Sequence, residues 1–143
     1  MTEISFHFNV PDKLTYSCRL LRKAYLTGAH VVVIAELPGL SQLDDLLWNF
    51  SQTEFVPHCR TSDSEATLKA TPVLLTDSLK TCSETAVLIN LGHNVPVEFE
   101  RFERLIEVVS QADADRLAAR NRWKHYADRG YALNRYDLAT AGE

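Results

Sequence analysis

The sequence predicts an α/β fold: a mostly parallel sheet flanked by helices. Three observations carry that expectation. Segments with a two-residue hydrophobic period alternate with segments repeating every three to four residues. The inner strand candidates are short uninterrupted apolar runs, as strands covered on both faces require. The 143 residues, 45% hydrophobic and 24% charged, suit one ordinary globular domain spanning 1–143, with a flexible tail expected over roughly 139–143.

The elements follow in order. Ile4-Ser5-Phe6-His7-Phe8-Asn9-Val10 alternates apolar and polar residues and reads as a half-buried strand. Pro11-Asp12 ends it and starts a helix over 13–27, whose Leu14, Cys18, Leu21 and Tyr25 share one face and which Gly28 closes. His30 to Ala35 is a β-branched run, read as a buried strand. Pro38-Gly39 then predicts a turn, and Ser41 with Asp44 a capping box opening a helix over 42–50. Residues 51–66 read as irregular. Pro72-Val73-Leu74-Leu75 and Ala86 to Leu91 are two further buried strands, Glu98 to Phe102 a short helical segment, Arg104 to Val109 a strand, and Ala112 to Arg129 a long helix ended by Gly130. There are no repeats or low-complexity tracts.

Composition limits the function classes. No apolar run approaches the roughly 18 residues of a membrane span, and Met1 to Val10 is not a secretory leader, so a cytoplasmic protein is expected. Cys18, Cys59 and Cys82 lack the spacing of a zinc site and read as reduced thiols. A net charge of −4 argues against a surface that coats nucleic acid, yet Arg116, Arg120, Arg122, Lys124, Arg129 and Arg135 face only one acid, Asp128, within residues 116–135. A basic patch on an acidic protein suits a discrete anionic partner.

Catalytic signatures are missing. The first strand-to-helix junction, Asn9-Val10-Pro11-Asp12-Lys13, has no glycine where a phosphate would need open backbone N–H groups, and its proline removes a donor. Neither GxGxxG, GxxxxGK[ST] nor GxSxG occurs. His58-Cys59 has no further ligand at metal spacing, and His58 reads as a hydrogen-bonding loop residue; Asp44 is assigned to the cap. No catalytic residue, metal or cofactor is expected.

Two constellations read as binding surfaces. Arg116, Arg120 and Lys124 recur at i, i+4 and i+8 along one stripe, flanked by Trp123 and Tyr126, with Tyr131 just past Gly130. Guanidinium groups grip carboxylates by paired hydrogen bonds, and aromatic rings wall an apolar pocket, so the stripe fits an acidic ligand ending in a bulky apolar group. The plainer reading is a solvated helix face whose aromatics pack on the sheet. The second is Leu47-Trp48 with Phe55-Val56-Pro57-His58: Trp48 lies about 100° around the helix from Leu47 and, beside Phe55 and Pro57, could form an exposed apolar patch for a partner protein. The plainer reading is a loop folded back over Trp48.

These segments, with Cys18-Arg19-Leu20-Leu21 and the run from Arg120-Asn121-Arg122-Trp123-Lys124-His125-Tyr126 into Arg129-Gly130-Tyr131-Ala132-Leu133-Asn134, resemble the chi subunit of bacterial DNA polymerase III from about Ile4 to Leu138. That resemblance implies a Rossmann-like fold without a nucleotide loop and a non-catalytic accessory subunit of the clamp loader. It implies two partners: the psi subunit, and the acidic C-terminal tail of single-stranded-DNA-binding protein, through which DNA is reached indirectly. Carried over by position, Trp48, Phe55 and Pro57 match the psi-facing patch. Val109, Arg116, Arg120, Trp123, Lys124 and Tyr131 match the tail-binding region, with Arg120 as the main carboxylate partner. Trp123 stands where the family also carries tyrosine. The alternatives from other classes are a direct single-stranded nucleic-acid binder, using arginines and aromatics as a stacking groove, and a small nucleotide-dependent enzyme.

Overall fold

A computed structural model describes residues 2–49, 58–60, 73–79 and 86–138. In chain order these form β1 (Glu3–Val10), α1 (Lys13–Leu26), β2 (Val31–Ile34), α2 (Leu37–Asn49), β3 (His58–Arg60), β4 (Val73–Thr76), β5 (Val87–Asn90), a 3-10 turn (Phe99–Arg101), β6 (Arg104–Ser110), α3 (Asp113–Asp128) and β7 (Leu133–Asp137). The strands make one seven-stranded sheet in the order β3-β4-β2-β5-β6-β1-β7, and every pair is parallel. This is a Rossmann-like α/β architecture.

The inner strands explain the apolar runs. Val31, Val33, Val73, Leu75 and Ile89 pack on one face with Cys18 and Leu21 of α1 and Leu40, Leu43 and Leu47 of α2. Val32, Leu74 and Leu88 point to the other face, where they join Phe99, Phe102 and the α3 residues Ala119 and Tyr126. Gly28 and Gly130 both have φ of 82°, the left-handed conformation that ends a helix without a Cβ clash.

In β1 the alternation breaks at its end. Ile4, Phe6 and Phe8 face α3, but Val10 joins the cluster under α1. Asn9, at φ 60°, sits in the register shift between His7 and Val10, and one inserted residue sends the next side chain to the opposite face. Asparagine tolerates this conformation better than most residues, and its Nδ2 donates to Asp137 Oδ1 at 2.8 Å.

Three sequence expectations are corrected. Pro38-Gly39 does not turn the chain ahead of a helix at 42; both lie in the first turn of α2, where a proline forfeits no intrahelical bond. Ser41 and Asp44 therefore lie inside the helix, and Asp44 Oδ1 instead accepts a hydrogen bond from His58 Nε2 at 2.8 Å. Within the stretch expected to be irregular, His58–Arg60 pairs with β4 as an edge strand. Strand β7, which sequence periodicity did not single out, pairs with β1. The expected flexible tail at 139–143 lies outside the described residues.

Candidate functional site

At the carboxyl end of β1 the backbone position used for phosphates in nucleotide-binding α/β proteins is already occupied. Asp12 caps α1, accepting from the Thr15 N–H at 3.2 Å and the Thr15 hydroxyl at 2.9 Å. Those hydrogen bonds hold its carboxyl below the usual range, and a fixed carboxylate there repels phosphate. Helices α1 and α3 leave β1 and β6 toward opposite faces, and Lys13 spans the gap between them to Asp115 at 3.1 Å. Asp115 also accepts the Ser110 N–H at 2.8 Å; this bond and Lys13 outweigh partial burial and keep its pKa low.

A second crevice, of about 510 Å³, opens beyond the carboxyl ends of β4, β2 and β5. This is where open α/β sheets often hold ligands. Its lining includes Glu36, Asp77 and Glu98 and no lysine or arginine, which again disfavours a phosphate. Among the described residues no group of three or more His, Cys, Asp or Glu side chains is placed to hold a metal.

The basic helix divides into two faces. Asp115, Ala119, Arg122 and Tyr126 recur at helical spacing and are buried. Arg122, counted in the sequence as part of the basic patch, is 2% exposed, and its Nε donates to Glu107 Oε1 at 2.9 Å. Glu107, fully buried on β6, also accepts hydrogen bonds from Asn90 Nδ2 and the Tyr126 hydroxyl. Burial pushes its carboxyl pKa up, while Arg122 and the hydrogen bonds pull it back. Arg122 Nη1 donates to the His93 carbonyl at 2.9 Å, so this network ties α3 to the β5–β6 connection. Tyr126 therefore serves the core, as the plainer reading allowed, and so does Arg122, which neither reading of the helix anticipated.

The other face borders a groove of about 330 Å³. Its lining is Phe6 and Phe8 from β1, Val109 from β6, Arg116, Ala119, Arg120 and Trp123 from α3, and Arg135 from β7. Phe6 meets Trp123 edge-on at 5.1 Å between ring centroids, and the Arg135 guanidinium lies 5.1 Å from the Phe8 ring centre and 5.9 Å from that of Trp123. The lining holds three arginines and no acidic residue. Among the described residues none of the three pairs with a carboxylate, whereas Lys13, Arg60, Arg101, Arg104 and Arg122 all do. An apolar floor under unneutralised guanidinium groups attracts a ligand that is both anionic and apolar.

Of the sequence candidates, Val109, Arg116, Arg120 and Trp123 converge on this groove. Lys124 is exposed on α3 but does not line it, and Tyr131 packs against Phe99 and Tyr126 at centroid distances of 5.4 and 6.5 Å. Phe6, Phe8 and Ala119 were not singled out by the sequence, which counted Arg135 in the basic patch without placing it beside Arg116 and Arg120. The signal available for Arg135 was its place in the basic patch, since Leu133-Asn134-Arg135-Tyr136 has no two-residue hydrophobic period to mark a strand.

Residues 1–134 match the family described as DNA polymerase III chi subunit, HolC. The chain belongs to the DNA polymerase III chi subunit family. The DNA polymerase III subunit chi of Pseudomonas aeruginosa is 32% identical over 145 aligned residues, covering 96% of this chain and 98% of that protein. Its counterpart in Haemophilus influenzae is 28% identical over 120 residues, covering 82% of each. Family membership makes the chain a DNA-replication accessory subunit.

The second constellation is partly described. On α2, Leu40, Leu43 and Leu47 face the core while Trp48 is 63% exposed. Its ring meets His58 edge-on at 5.4 Å, and His58 and Arg60 both reach Asp44. Phe55 and Pro57 lie outside the described residues. No helix among the described residues is long and apolar enough to cross a membrane.

Proposed function

We propose that this chi-family chain is a non-catalytic adaptor. Its groove takes the acidic C-terminal tail of single-stranded-DNA-binding protein, and the face around Trp48, Phe55 and Pro57 docks the psi subunit of the clamp loader. The observation that carries the tail assignment is the pairing of an apolar floor with three arginines that meet no carboxylate among the described residues. The tail's terminal carboxylate binds Arg120, with Arg116 one turn away, while its apolar last residue sits against Phe8, Val109 and Trp123. Lys124 adds long-range attraction from the same stripe. Tyr131 supports the site from behind, through Tyr126. Such contacts to a flexible peptide are few and charge-assisted, so binding is moderate and weakens with salt. DNA is reached through the partner protein rather than directly.

Trp48 supports the psi assignment: a large aromatic on the solvent side of α2 is the residue type that anchors protein interfaces. Titration of an acidic peptide with an apolar, free C-terminus against wild type and Arg120→Ala tests the groove. The expected loss is roughly 1.5–3 kcal/mol, the scale of a charged hydrogen bond. Equal affinity of the two proteins would remove Arg120 from the site.

A further inference from the structure

We infer that Arg135 is a second, separate ligand-reading residue of the groove: it binds acidic side chains that precede the ligand's terminal carboxylate. The inference rests on the groove being the tail site proposed above. Arg116 and Arg120 both come from α3, one turn apart, so they supply cations from the helix side only. Arg135 comes from β7, opposite Phe6 in the β1–β7 register, and supplies one from the strand side.

Its guanidinium is held by two aromatic rings, Phe8 at 5.1 Å and Trp123 at 5.9 Å. The guanidinium carbon lies over the faces of both rings, and among the described residues its N–H groups are not committed to a carboxylate, so they can meet one on a ligand. The same contact fixes a long side chain before a ligand arrives, which lowers the entropy lost on binding. Arg135 is exposed and, among the described residues, meets no carboxylate of its own. A ligand with one terminal carboxylate uses the helix side alone. A ligand with an acidic run before its terminus can also occupy Arg135, so this residue selects an acidic peptide over a neutral one with the same end.

The test uses the full chain and three synthetic peptides: an acidic peptide ending in an apolar residue with a free carboxylate, the same peptide amidated at its C-terminus, and the same peptide with its acidic side chains replaced by amides. Affinity is measured by calorimetry for wild type, Arg135→Gln and Arg135→Lys, with thermal melts to confirm that these exposed substitutions leave the fold intact. Arg135→Gln is expected to bind the acidic peptide roughly 5- to 10-fold more weakly, the scale of one charge-assisted contact. It should bind the side-chain-neutralised peptide as wild type does, and keep the full penalty for amidation. Arg135→Lys should recover part of the loss, since it keeps the charge but not the planar fork. Equal affinity of wild type and Arg135→Gln for the acidic peptide would overturn the inference, as would an equal loss for acidic and neutralised peptides. If wild type does not discriminate the free from the amidated terminus, the tail-site reading itself fails, whatever Arg135 does.

Discussion

Arg122 tests how α3 is partitioned between core and surface. Its side chain is 2% exposed and Glu107 is fully buried, so removing either charge strands the other in a low-dielectric interior. Glu107→Leu leaves Arg122 uncompensated, and an arginine cannot shed its proton; the expected cost is about 3–5 kcal/mol. Against a typical domain stability of about 5–15 kcal/mol, that is a large fraction. It corresponds to a drop in melting temperature on the order of 10–20 °C. Arg122→Met behaves differently, because the stranded carboxyl can take up a proton. Burial already raises the Glu107 pKa in the folded state above 4.5, the ordinary glutamate value, and losing Arg122 raises it further. A carboxyl with a raised folded pKa binds more protons folded than unfolded, so stability falls as pH rises above 4.5 toward the folded value. Arg122→Met should therefore be mildly destabilised near pH 4 and severely destabilised near neutrality. Urea titrations of wild type and both variants across that range measure this. A loss under about 0.5 kcal/mol at neutral pH, the size of an ordinary surface substitution, would refute the buried pair and return Arg122 to the solvent-facing basic patch.

Other expectations follow from the same packing. Burial, with Arg104 and Lys23 nearby, lowers the His7 pKa from 6.5 to about 4, and the neutral ring can accept the Tyr16 hydroxyl proton at Nδ1. A base with a depressed folded pKa contributes stability that is complete above 6.5 and lost as pH falls toward 4; melts of His7→Phe over that window should show a shallower pH dependence than wild type. Asp115→Ala releases both Lys13 and the Ser110 N–H, and should cost about 1.5–3 kcal/mol by urea unfolding. Trp48→Ala should change stability by less than about 1 kcal/mol yet abolish co-purification with psi; retained co-purification would move that interface elsewhere.

The sequence made most of the sheet legible because five strands carry either alternation or a largely apolar run. Helix α2 was placed late because Pro38 and Gly39 look like turn residues, although a first turn accepts both. Strands β3 and β7 escaped notice because both are short edges with mixed polarity, and their pairing with β4 and β1 is purely tertiary. Arg122 was misassigned because hydrophobic periodicity counts it as polar. Its partner was nevertheless visible: Glu107 interrupts Leu105-Ile106-Glu107-Val108-Val109, and a single charge inside a buried strand calls for a buried counter-charge. The helix half of the groove followed from the spacing of Arg116, Arg120 and Trp123. The strand half did not, since Phe6, Phe8 and Arg135 meet only when the two ends of the chain pair as β1 and β7.

The most direct test of the adaptor account is a calorimetric titration of the full chain with an acidic peptide carrying an apolar last residue. It is run with the C-terminus free and amidated, and beside a single-stranded oligonucleotide at the same salt concentration. The account predicts salt-sensitive binding of the free-carboxylate peptide, a loss of roughly 10-fold or more on amidation or with Arg120→Ala, and weaker binding of the oligonucleotide. Equal affinity for the amidated peptide, or a preference for the oligonucleotide, would contradict it.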